Sequence, residues 1–126
     1  MTTAAEHKRY EQILAHVLRA PDPVAALRAQ VAALPTVSPL RQALSRIDED
    51  GFRLSALMVA RLRFERLLQG FPDAAREFEE DPAGFTNTFS VYHQQVPLRA
   101  FSPQHEARLY ARWLRKTKLA GGQTTS

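Results

Sequence analysis

Four dipeptides constrain this chain more than any other feature: Asp22-Pro23, Ser38-Pro39, Asp81-Pro82 and Ser102-Pro103. In each, a good N-cap residue precedes a proline suited to the first helical position. The cap oxygen can accept a free amide hydrogen, and proline has no amide to leave unpaired. One such pair is weak evidence. Four, each followed by helical apolar spacing, predict an all-α chain of six or seven helices.

Apolar spacing places those helices. Tyr10, Ile13, Leu14, Val17 and Leu18 form a stripe over residues 5–19, and Val24, Leu27, Val31 and Leu34 form one over 23–34. A short helix follows Ser38 with Leu40, Leu44 and Ile47 inward. Residues 48–51 read as a turn. A longer helix spans 53–69, ended by Gly70, Phe71 and Pro72. Residues 73–80 are a short helix, 82–93 an aromatic one with Phe85, Phe89 and Tyr92, and 103–118 the last, with Leu109, Tyr110, Trp113 and Leu114 inward. Residues 94–101 read as an extended connection. A short β element has room only near 51–59 or 94–101, where alternation is poor. The expected organisation is one helical domain over 1–118 and a flexible tail, 119–126.

Composition excludes several classes. With 126 residues and 44% apolar content, the chain can close a core. It has no cysteine, which removes disulfides, thiolate metal sites and a cysteine nucleophile together. No apolar run is long enough to span a bilayer, and the N-terminus lacks the apolar stretch of a signal peptide. A cytoplasmic protein without membrane partners is expected.

The charge is uneven. Residues 61–126 hold 10 basic and 7 acidic groups, against 7 and 6 before them, so most of the excess lies late. Arginine dominates, and its planar fork suits carboxylates and phosphates. A nucleic-acid binder usually shows a denser basic stripe. Here Glu77, Glu79, Glu80 and Asp81 interrupt it. Consecutive acidic residues diverge by about 100° on a helix, so a solvated face explains them better than a metal site.

No stretch carries chemistry by itself. His7, His16, His93 and His105 have no metal-ligand spacing, and no serine elbow or phosphate-cradling glycine loop is present. His93 ends the aromatic helix beside a connection. It is a candidate functional group or a histidine favoured by the helix dipole. In the long helix Leu54, Leu57, Met58, Phe64 and Leu68 define the apolar face, with Arg61 and Glu65 near its middle. Those two form either an internal ion pair or a partner contact. Arg108, Arg112 and Arg115 fall at i, i+4, i+7, as a solvated face or an anion-binding ridge.

A longer pattern runs through the second half: Arg63-Phe64-x-Arg66-Leu67-Leu68, Phe71-Pro72, Asp81-Pro82-x-x-Phe85, Phe89, Tyr92-His93, Val96-Pro97, and Pro103-x-x-Glu106-Ala107-x-x-Tyr110-x-x-Trp113. It resembles the small partner proteins of multinuclear iron oxidases, the companions found in methanobactin and thiaglutamate biosynthesis. The resemblance implies a non-catalytic subunit that binds no cofactor itself. A separate TIM-barrel oxidase carries the iron and oxidises a cysteine of a ribosomally made precursor peptide. The companion binds the oxidase, helps keep it active and helps hold the peptide. Some companions capture leader peptide by strand addition, for which this sequence offers little strand. On this reading Arg61, Arg63, Arg66, Tyr92, His93 and Arg99 lie near the partner or peptide surface, with Arg108 and Arg112 on the basic ridge. The alternative is a small helical nucleic-acid-binding or regulatory protein, resting on a sequence pI near 10.0 and that ridge.

Overall fold

Each predicted cap is made. In the computed structural model, which describes residues 4–124 and side chains as far as Lys118, the Asp22 carboxylate accepts from Ala25 N at 3.1 Å and begins α2 (Pro23–Ala33). Ser38 Oγ accepts from Arg41 N and begins α3 (Pro39–Ser45). Asp81 caps α6 (Pro82–Gln95) through Gly84 N, and Ser102 caps α7 (Pro103–Thr124) through His105 N. With α1 (Ala4–Leu18), α4 (Glu49–Gly70) and α5 (Pro72–Glu80), the described residues form seven helices and no strand. The all-α expectation holds.

Three boundaries differ from the sequence reading. Residues 48–51 are not a separate turn: Asp48 is a cap, its carboxylate accepting from Gly51 N at 2.8 Å, and α4 starts at Glu49. Residues 51–59 are therefore helical, while 94–101 finish α6 and continue as a connection without strand. The last helix runs to Thr124, through most of the expected tail; Thr125 and Ser126 lie outside the described residues.

The chain forms two compact units, Met1–Ala60 and Arg61–Ser126, with α4 contributing to each. In the first, α1, α2 and α3 pack on one another. Val17, Val24, Leu27, Leu34, Leu40, Leu44 and Phe52 form its core. In the second, α5 packs on α6. Leu67, Ala74, Phe85, Phe89, Tyr92 and Tyr110 are buried there, with Phe64, Phe78 and Trp113 against them. The rings meet edge to face: Phe64 lies 5.2 Å from Phe78 and 5.0 Å from Phe89, and Tyr92 lies 4.9 Å from Tyr110. Such pairs add about 0.5–1.5 kcal/mol each beyond the area they bury. No described helix is long and apolar enough to cross a membrane.

Gly70 ends α4 for a reason other than a left-handed turn, since no described glycine has positive φ. A Cβ there would sit 2.1 Å from the carbonyl oxygen of Pro103. The glycine lets the end of α4 meet the start of α7 backbone to backbone.

Candidate functional site

An ion pair lies at the centre of the second unit. Arg63, on α4, and Glu106, on α7, are 0% and 1% exposed. Arg63 Nε donates to Glu106 Oε2 at 3.1 Å, and the Tyr92 hydroxyl donates to the same oxygen. The guanidinium stacks over the Tyr92 ring at 4.3 Å, a cation–π contact in a dry setting. Its Nη1 donates to the Val96 carbonyl at 2.7 Å and its Nη2 to that of Pro97 at 3.3 Å. His93 Nδ1 lies 3.4 Å from Arg63 Nη1, and its ring stacks on Phe89.

A buried pair survives only if its remaining donors and acceptors are satisfied, and here the surrounding carbonyls and hydroxyl do that. Burial, and then the hydrogen bond to Glu106, push the Tyr92 phenol above its ordinary value. Burial and the Glu77 charge push Tyr110 up to about 12. A carboxylate already engaged by a guanidinium and a phenol, sealed from water, is poorly placed to move a proton to or from a substrate. The cluster instead ties the chain after α6 to α4. Arg66 adds a second tie, its Nη1 donating to the Ala100 carbonyl at 3.1 Å. Trp113 Nε1 donates to Gln95 Oε1 at 2.7 Å and fixes the end of α6 to α7.

The result is a pinned connection, 96–102, that turns side chains outward. Leu98 and Arg99 are exposed, and Phe101 is 94% exposed with its ring 6.0 Å from that of His105. Beside it, α7 lines an open groove of about 560 Å³. Phe71, Leu109 and Leu114 supply its apolar part, and His105, Arg108, Arg112, Arg115 and Lys118 its polar rim.

The expected site residues therefore separate into buried, half-buried and exposed groups. Arg63, Tyr92 and His93 were expected near a surface, and the structure buries all three. Arg61 does pair with Glu65 at 3.1 Å, but the pair faces solvent, Arg61 being 78% exposed. The face assigned to α4 is also corrected: Leu54, Leu57 and Met58 are exposed, while Phe52, Ala56, Arg63 and Leu67 point inward. Apolar residues surround this helix, so their spacing names no face, and the true inward stripe includes a charge. Arg66 is half-buried, and Arg99, Arg108 and Arg112 are exposed. Sequence reasoning missed Glu106 as the partner of Arg63. The available signal was its place on the inward stripe with Leu109, Tyr110 and Trp113. Phe101 was missed because one aromatic in a connection has no pattern around it.

Among the described residues, no group of three His, Asp or Glu side chains is placed to hold a metal ion. In comparisons with known proteins, no family model matches the chain, and no curated protein or solved structure is significantly similar to it.

Proposed function

We propose that this chain is a non-catalytic companion subunit. It binds a TIM-barrel multinuclear iron oxidase in the cytoplasm and helps that enzyme engage a ribosomally made precursor peptide for cysteine modification. The observation that carries this reading is the pinned connection 96–102. Arg63 and Arg66 hold its backbone at Val96, Pro97 and Ala100 while Phe101 stands in water. A large ring on a tethered loop is a pre-organised anchor, because less ordering entropy is lost when a partner receives it. The residues that carry the sequence resemblance support the same reading. Arg63, Tyr92, Val96, Pro97 and Glu106 are the ones that build the tether. Iron and redox chemistry belong to the oxidase; this chain supplies contact and orientation.

Co-expression with a candidate oxidase, followed by size-exclusion chromatography and precursor turnover, tests the proposal. The two proteins are expected to co-elute, and Phe101→Ala is expected to separate them without changing the thermal melt of this chain. Separate elution of the wild-type proteins, with turnover indifferent to this chain, would sink it.

A further inference from the structure

The groove along α7 points to a second contact. We propose that it receives an acidic, amphipathic helical peptide segment. This rests on the companion-subunit reading for its biological setting and names the chemistry of the segment held, but its test needs only this chain.

The charge pattern comes first. Arg108, Arg112, Arg115 and Lys118 recur every three or four residues on one flank of α7 and are all exposed. None forms an ion pair among the described residues, whereas Arg28, Arg53, Arg61 and Arg76 each hold a carboxylate. Like charges at this spacing destabilise an isolated helix. A row of unpaired cations over about 15 Å, at 1.5 Å rise per residue, is a surface whose counter-charge comes from outside.

The apolar floor then selects among anions. Leu109 and Leu114 are only partly buried and line the groove with Phe71. A small anion would use the cations and leave that floor wet. A single-stranded nucleic acid needs a series of exposed aromatic faces for its bases. The remaining aromatics of α7, Tyr110 and Trp113, instead pack inward against Tyr92. A helix with leucine-like residues at i, i+3, i+4, i+7 and carboxylates along one flank satisfies floor and rim together.

The test is fluorescence anisotropy with three labelled probes on the full chain. One is a helix-forming peptide with leucines at that spacing and flanking glutamates. The second is its shuffled isomer, and the third a single-stranded oligonucleotide of equal charge. The amphipathic peptide is expected to bind at least about tenfold tighter than either other probe. Arg112→Glu with Arg115→Glu is expected to weaken it at least about tenfold, with Arg53→Glu as a neutral control. Should the reversed pair fail to fold, Arg112→Gln with Arg115→Gln replaces it. Equal binding of the shuffled peptide or the oligonucleotide overturns the proposal in favour of a general polyanion surface. So does indifference to the double variant, or no binding at all. Sedimentation covers the remaining occupant: self-association lost in the double variant and competing with the peptide would assign the groove to a second copy, whose α5 is acidic. Peptide binding without an oxidase complex ends only the companion reading, and an oxidase complex without peptide binding ends only this one.

Discussion

Arg63 illustrates how much one residue can organise. Its three nitrogens reach a carboxylate and two backbone carbonyls contributed by residues 33 to 43 positions away, and its plane covers a tyrosine ring. Replacing it by methionine leaves the buried Glu106 side chain without its guanidinium, so Arg63→Met is expected to cost about 3–5 kcal/mol in urea denaturation. Adding Glu106→Leu removes the stranded carboxyl and should recover part of that loss; a double variant no more stable than Arg63→Met would mean the pair is not coupled. Tyr110 is the opposite case. Its hydroxyl is buried and has no hydrogen-bond partner among the described residues. Tyr110→Phe is therefore expected to leave the melting temperature unchanged or raise it. The same residue predicts a pH effect. In the folded chain its proton is retained to about 12, while the unfolded phenol releases it near 10.0. Its contribution is intact below pH 10.0 and is lost as pH rises through that interval, because the unfolded state then binds fewer protons. Denaturation measured across the interval should show a shallower alkaline decline in Tyr110→Phe than in the wild type.

Among the helices, α4 meets α7 at close backbone range. Gly70→Ala would place a methyl 2.1 Å from the Pro103 oxygen and 2.4 Å from its carbonyl carbon, both backbone atoms unable to step aside alone. The expected loss is about 1–3 kcal/mol, from displacement of the first turn of α7. A melt unchanged by Gly70→Ala would show that the two backbones separate freely. This junction also shows what the sequence could reveal. Helix starts were legible because a cap and its proline are local: Asp22, Ser38, Asp81 and Ser102 act within three residues. Gly70 was legible as a helix end but not as a close approach, which depends on Pro103, 33 positions later in the sequence. The inward face of α4 was hidden for a related reason. A buried arginine looks like a surface one until its partner is known, and Glu106 lies 43 residues away. The exposed ridge of α7 needed only helical spacing, so Arg108 and Arg112 were placed on the surface from sequence.

Over the whole molecule, net charge is a poor guide to where a polyanion is attracted. Arg28 and Arg53 in the first unit and Arg76 in the second are exposed but paired with Glu49, Asp50 and Asp73. Their fields are largely cancelled within a few ångströms. Arg108, Arg112 and Arg115 stand on one flank without such cancellation. Two triple variants separate total charge from its arrangement. Arg108→Gln, Arg112→Gln and Arg115→Gln remove three positive charges, and so do Arg28→Gln, Arg53→Gln and Arg76→Gln. Both variants carry the same formal charge. If arrangement governs attraction, the α7 variant should elute from a sulfated-polysaccharide column at distinctly lower salt than wild type. The paired-arginine variant should shift less, because its loss is spread over separate places. Salt reads this directly, since each cation engaged by a polyanion adds to the salt dependence of binding. Equal shifts for the two variants would mean that attraction follows net charge, and that the row on α7 has no special reach. A larger shift in the α7 variant would locate the positive face on that helix, where the apolar floor then distinguishes a peptide from any other anion.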